Sequence, residues 1–121
     1  MHIEHANITV GNVATSAAFY RQLFGFRTRW EGLSGSGQRA WHIGTEDLYL
    51  SLFEAVQTGR AESDYDRPGF NHLGFVVDNL DEYRKTLQQM GVKTHLEADY
   101  DPGRRLYFYD PDGIEIELVE Y

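Results

Sequence analysis

Four positions of this 121-residue chain fall at equivalent places in two halves that repeat each other, and three of them carry metal-binding side chains. The segment Glu4-His5-Ala6-Asn7-Ile8-Thr9-Val10 reappears as Asn71-His72-Leu73-Gly74-Phe75-Val76-Val77. The pairing continues through Gly25 and Gly91 to Ser51, in Leu50-Ser51-Leu52, and Glu117, in Ile116-Glu117-Leu118. His5, His72 and Glu117, each on a different strand of a duplicated sheet, make the two-imidazole, one-carboxylate set of an open divalent-metal site. Ser51 occupies the fourth corner. A serine hydroxyl is not ionised near neutral pH, so it neither supplies charge to a metal nor abstracts a carbon-bound proton unaided.

The elements that must carry these residues follow from hydrophobic period. Val13, Ala17, Tyr20 and Phe24 form one buried stripe of a helix over 13–24, and Leu80, Tyr83, Leu87 and Met90 form another over 80–90. Asn12 and Asn79 precede them as N-caps, Glu82 adds a capping-box partner, and Gly25 and Gly91 suit the left-handed turn that ends a helix. Strands are expected near 26–33, 38–44 and 48–54, and again near 92–99, 104–109 and 114–120. Asp110-Pro111-Asp112-Gly113 is a tight-turn signal, matched in the first half by Gly44-Thr45-Glu46-Asp47. The polar stretch 55–68 reads as the connection between a first module of residues 1–54 and a second of 69–121. Gly32-Leu33-Ser34-Gly35-Ser36-Gly37 lacks the Gly-Lys-Ser/Thr ending of a phosphate loop and reads as a flexible hairpin loop.

Side-chain parity then sorts the faces. Ala6, Ile8 and Val10 oppose His5, Asn7 and Thr9; Leu50 and Leu52 oppose Tyr49, Ser51 and Phe53; Ile114, Ile116 and Leu118 oppose Glu115, Glu117 and Val119. In each strand the ligand-type residue lies opposite the face a helix covers. Trp41 and Tyr107 pair under the repeat and share the ligand face with Arg39, Arg105, Ile43 and Tyr109. Other histidines, His2, His42 and His95, have no repeat partner of ligand type and read as half-buried, hydrogen-bonded rings. Glu115 and Glu120 read as solvated strand-edge carboxylates.

Composition narrows the classes. The chain is one domain of ordinary size, has no cysteine, and so forms neither a disulfide nor a thiolate metal site, which suits a cytoplasmic setting. No apolar run reaches membrane-spanning length, and no signal-like segment opens the chain. A net charge of −8 disfavours the phosphate-neutralising surface of a nucleic-acid binder. The expected partner is a small molecule.

The segments Phe19-Tyr20-Arg21-Gln22-Leu23-Phe24-Gly25-Phe26, Asn71-His72-Leu73-Gly74-Phe75 and Asp110-Pro111-Asp112-Gly113-Ile114-Glu115-Ile116-Glu117-Leu118, with His5 before them, resemble the vicinal oxygen chelate superfamily over essentially the whole chain. That superfamily includes glyoxalase I, methylmalonyl-CoA epimerase, extradiol dioxygenases, fosfomycin-resistance transferases and bleomycin-resistance proteins. The resemblance implies an α+β fold of two βαβββ modules forming a cupped mixed sheet with helices on the convex side. It further implies a divalent metal, Fe²⁺, Mn²⁺, Ni²⁺ or Zn²⁺, bound by His5, His72 and Glu117 and holding adjacent oxygens of a substrate. Glyoxalase I and the epimerase carry a second carboxylate where this chain has Ser51. The remaining triad resembles that of the dioxygenases and fosfomycin-resistance enzymes, although 98–105 lacks the latter's potassium-binding loop.

The first expectation is therefore a metal-dependent enzyme of dioxygenase, thiol-transferase or lyase/isomerase type. Tyr107 and Arg105 are its candidate catalytic donors, and Asn7, Trp41, Tyr49, Ser51, Phe53 and Tyr109 its candidate substrate contacts. The competing expectation is a non-catalytic drug-binding protein of the bleomycin-resistance type, served by acidic charge and cavity-side aromatics, which can equally be core or dimer packing. The resemblance also implies a homodimer whose sites take His5 from one chain and His72 and Glu117 from the other.

Overall fold

The protein is described by a computed structural model covering residues 1–121. Its contacts divide into two compact units, Met1–Gly59 and Arg60–Tyr121. The first contains β1 (His5–Val10), α1 (Val13–Phe24), β2 (Arg27–Leu33), β3 (Arg39–Gly44) and β4 (Tyr49–Glu54). The second contains β5 (His72–Val76), α2 (Leu80–Gln89), β6 (Thr94–Tyr100), β7 (Gly103–Tyr109) and β8 (Glu115–Glu120). Each unit is thus a βαβββ module with a four-stranded mixed sheet, ordered β1-β4-β3-β2 in one and β5-β8-β7-β6 in the other.

The helices form where their caps dictate. The Asn12 side chain accepts from the Thr15 N–H at 2.9 Å, and that of Asn79 from the Glu82 N–H at 3.2 Å, each satisfying a donor that has no partner within the helix. Gly25, at φ 71°, closes α1 with its N–H on the Arg21 carbonyl. The second helix ends a residue earlier than its stripe suggests, with Met90 as C-cap and Gly91 at φ 73° just beyond.

The helix-facing parity class supplies the core of each sheet. Leu52 in the first unit, and Leu87, Leu106, Phe108, Ile116 and Leu118 in the second, are fully buried, each contributing on the order of 2 kcal/mol. The first strand pairs in parallel with β4, setting Asn7 against Ser51; likewise β5 pairs with β8, setting His72 against Glu115 and Gly74 against Glu117. The remaining pairings are antiparallel. A β-bulge interrupts β2 between Thr28 and Trp30, and another interrupts β6 between His95 and Ala98.

The β7–β8 turn is organised from inside. The buried Asp110 carboxylate accepts the N–H groups of Asp112 and Ile114, both at 2.9 Å, and so fixes where β8 begins. The 34–38 hairpin is similarly tied, with the Ser34 N–H on the Gln38 carbonyl at 2.8 Å and the Gln38 N–H on the Ser34 hydroxyl at 3.1 Å.

Two expectations about β8 are corrected. This strand lies between β5 and β7, not at an edge, and both carboxylates are held by neighbouring groups. Glu115 is buried, and Glu120 accepts the Leu80 N–H at 2.7 Å, capping α2, while pairing with Arg104 at 3.3 Å. Residues from Arg60 onward hold to the second unit: the Ala61 N–H donates to the Asp112 carbonyl, and the Ser63 hydroxyl to that of Asn71, both at 3.0 Å.

Candidate metal centre

In the second unit, adjacent strands bring His72 and Glu117 together. His72 stands at the start of edge strand β5 and Glu117 two residues past its register partner on β8, which puts His72 Nε2 3.0 Å from Glu117 Oε2. Gly74 faces Glu117 across the ladder; a Cβ there would meet Oε2 at 3.5 Å, so the glycine leaves the carboxylate open space. The other oxygen of Glu117 accepts from Arg105 at 3.1 Å. Tyr107, the register partner of Glu117, sets its ring edge-on to His72, with centroids 5.4 Å apart. Burial, followed by the neighbouring Glu117 carboxylate, raises the Tyr107 phenol above its ordinary value, so it remains a proton donor at neutral pH.

A second layer lies beside this pair. Tyr65 Oη is 3.0 Å from His72 Nδ1 and makes a short hydrogen bond to Glu115 Oε1. Glu115 Oε2 lies 2.8 Å from His95 Nε2, and His95 stacks on Tyr109 at 4.6 Å. Burial pushes the Glu115 carboxyl up, but hydrogen bonds from Tyr65 and then His95 outweigh it and hold the group below the usual carboxylate range. The Tyr65 phenol is pushed up to about 12, first by its hydrogen bond to Glu115. His95 is half-buried and hydrogen-bonded, as its sequence suggests.

The first unit uses rings where the second uses charges. His5 Nδ1 is 2.9 Å from Glu4 Oε1, which also accepts from Tyr49 Oη at 3.0 Å. The hydrogen bond with His5, followed by that from Tyr49, holds the Glu4 carboxyl below its ordinary value. Tyr49 stacks between His5, at 4.8 Å, and His42, at 4.6 Å, with the Arg29 guanidinium 4.5 Å over its ring. Burial, ahead of the charges nearby, lowers the His42 pKa.

Of the other sequence candidates, Asn7 donates to the Ser51 carbonyl at 2.9 Å and approaches its hydroxyl at 3.4 Å, so both turn toward each other. Trp41, expected on the ligand face, is corrected: with Ile43 it stands opposite the helix-facing Leu52 and Leu50, beneath the Arg39 guanidinium at 5.4 Å. His42, opposite Ser51, takes the place that Tyr107 has in the second unit, and Phe53 is half-buried on β4. The structure therefore groups His72, Glu117, Arg105 and Tyr107 in one unit, and His5, Tyr49, Asn7 and Ser51 on neighbouring strands of the other. Within either unit alone no group of three or more His, Asp or Glu side chains is arranged to hold a metal ion.

Tyr65, Glu115 and His95 were not among the expected site residues. For Glu115 a signal existed, since parity places it on the same face as Glu117. Tyr65 sits in the polar stretch between the modules, where no periodicity marks it.

The donor set in the second unit fits a divalent metal. An imidazole nitrogen and a carboxylate oxygen face each other at 3.0 Å, while the second nitrogen of that ring and the second oxygen of that carboxylate are engaged elsewhere.

Residues 2–118 match the family model described as the Glyoxalase/Bleomycin resistance protein/Dioxygenase superfamily. The chain is 30% identical to the uncharacterized protein YaeR of Escherichia coli (strain K12), covering 98% of this chain and 95% of that one. It is also 30% identical to the glutathione transferase FosA of Serratia marcescens, covering 96% and 78%. A solved mutant of the fosfomycin resistance protein FosX from Listeria monocytogenes, complexed with Mn(II) and 1S,2S-dihydroxypropylphosphonic acid, superposes with a TM-score of 0.78 at 22% identity, covering 98% and 90%.

Proposed function

The chain belongs to the Glyoxalase/Bleomycin resistance protein/Dioxygenase superfamily, and from that premise we propose that it is a divalent-metal-dependent enzyme acting on a small molecule bound through adjacent oxygens. His5, His72 and Glu117 hold the metal. The observation that carries this reading is the approach of His72 Nε2 to Glu117 Oε2 at 3.0 Å, on a face where Arg105 and Tyr107 also gather. The Mn(II) bound by FosX supports a divalent ion of that kind. When bound, such an ion supplies Lewis acidity toward an oxygen ligand. Arg105 offers a fixed positive charge beside it, and Tyr107 a phenolic proton. Ser51, tied to Asn7, supplies no carbon-acid base, which favours polarisation of an oxygen-bearing substrate over isomerisation.

Completing the triad requires His5, which stands on edge strand β1 as His72 stands on edge strand β5. The apolar side chains of Ile3 and Phe70, each two residues before a ligand histidine, are 85% and 65% exposed. Such surface beside an open strand edge supports self-association. The reading is of a two-fold dimer in which His5 of one copy joins His72 and Glu117 of the other.

Metal analysis of protein purified without chelators, followed by titration with a catechol, a thiol plus an epoxide, and bleomycin, tests the assignment. One bound divalent ion per chain and metal-dependent turnover of an oxygen-bearing substrate are expected. Absence of bound metal, together with tight binding of bleomycin, would transfer the protein to the drug-binding class.

A further inference from the structure

Resting on that reading, we propose that Tyr65 and Glu115 are positioning residues. They lock His72 in the tautomer that carries its proton on Nδ1, so that the Nε2 lone pair faces the metal.

Proton counting along the chain of contacts leads there. A phenol has one proton to give. Glu115 is flanked by donors, the Tyr65 hydroxyl at one oxygen and His95 Nε2 at the other, so it accepts at both and the short hydrogen bond between it and Tyr65 takes the Tyr65 proton. The Tyr65 oxygen is then left with lone pairs toward His72 Nδ1 at 3.0 Å, and that nitrogen must donate. His72 Nδ1 is 3.7 Å from Glu115 Oε1, too far for a direct hydrogen bond, so the phenol is the necessary link. The second oxygen of Glu115 is occupied by His95 Nε2 at 2.8 Å, which keeps the carboxylate from turning away.

With the Nδ1 proton committed, neutral His72 presents a lone pair at Nε2, 3.0 Å from a Glu117 oxygen that also only accepts. Two acceptors at that separation are compatible only with a cation shared between them, a proton or a metal ion. An imidazole locked in this tautomer and orientation is prepared for the metal without rearrangement.

The first unit contains the same parts in a different order. His5 Nδ1 meets the Glu4 carboxylate directly at 2.9 Å, and Tyr49 donates to that same oxygen at 3.0 Å. Both prospective ligand rings therefore have Nδ1 engaged by a tyrosine–glutamate pair. Nothing in the strand pattern demands this of two histidines whose role is packing.

The test uses the full chain and two near-isosteric variants, Tyr65→Phe and Glu115→Gln. Long-range ¹⁵N–¹H spectra of the metal-free protein read the His72 tautomer, and competition with a chromogenic chelator reads Zn²⁺ and Mn²⁺ affinity. The wild type is expected to show the Nδ1–H form. Tyr65→Phe should give a mixture of tautomers and about tenfold weaker metal binding with an unchanged melting temperature, and Glu115→Gln a smaller loss in the same direction. If Tyr65→Phe fails to fold, Glu115→Gln alone decides. A folded variant that keeps both the Nδ1–H signal and wild-type affinity overturns the proposal. Should the wild type bind neither ion, the metal assignment fails, while loss of the Nδ1–H signal in Tyr65→Phe still upholds the lock.

Discussion

The two halves share a strand order and a helix start, and each carries a bulge in the strand after its helix, yet they arrange different partners around their histidines. In the first, His5 belongs to a ladder of stacked rings, with Tyr49 between it and His42 and a guanidinium over the stack. In the second, the place equivalent to Tyr49 is Glu115 and that equivalent to Trp30 is His95, and the ladder becomes a chain of hydrogen bonds around one buried carboxylate. The bulges differ: in the first half Arg29 is the extra residue between Thr28 and Trp30, whereas in the second the bulge follows His95, which keeps its register opposite Tyr107. Ser51 and Glu117 differ for a reason legible in their register partners. Asn7 fills the space opposite Ser51, whereas Gly74 leaves it free opposite Glu117.

Writing first-half chemistry into the second half should have the largest effect. Glu117→Ser removes the proposed carboxylate ligand and leaves the mostly buried Arg105 uncompensated. We expect loss of measurable metal binding by chelator competition and a fall in stability of about 3 kcal/mol in urea unfolding. The reverse exchange is gentler. Ser51→Glu alone should cost about 1–3 kcal/mol from crowding against Asn7. The double variant Asn7→Gly/Ser51→Glu reproduces the second-half pair; it should recover part of that loss and tighten metal binding by filling an open position. Unchanged affinity in the folded double variant would place position 51 away from the metal.

Mixing chains asks whether the halves of different copies cooperate. On the proposed two-fold dimer, His5→Ala and Glu117→Ala chains should each bind no metal alone, and subunit exchange should restore one intact site of the two in each mixed dimer, read as bound metal. Sites built within single chains predict no recovery.

The smallest expected effect concerns an ion-pair cluster that only the second half has. Hydrogen bonds from Arg104, then Arg84, hold the Asp81 carboxyl below its ordinary value of 3.8. A depressed carboxyl contributes stability that is complete above the unfolded value and is lost as pH falls through the folded one. Below about pH 4 the wild type should therefore lose stability faster than Asp81→Asn, a difference visible in acid melts.

Much of this fold is written in short-range pattern. Asn12, Gly25 and the stripe from Val13 to Phe24 are enough to place α1 at its observed limits, and parity alone puts Glu117 with His72 on the ligand face. Parity gives the face of Glu115 as well, but not its burial, nor the capping role of Glu120. A carboxylate near the end of a strand looks solvated until the sheet order shows β8 to be interior, and sheet order is a long-range property. Tyr65 is hidden for a different reason: it reaches His72 from a segment without period, and only the tertiary course of residues 60–71 brings its hydroxyl inward. Bulges add one residue without altering composition, so nothing in β2 or β6 announces them.

The turn built around Asp110 makes the length of that connection a coding property of the site. Side chains on β8 alternate faces, so removing or adding one residue between Tyr109 and Glu115 exchanges the two sets: Ile116 and Leu118 would face the imidazoles, and Glu115 and Glu117 the helix. A single-residue deletion at 111–113 is thus a reading-frame error at the level of the folded chain. It would leave every functional residue in the polypeptide and misplace the carboxylates, whereas the 34–38 hairpin, which belongs to the other unit and precedes no carboxylate-bearing strand of this kind, is the place to lengthen the chain or attach a label.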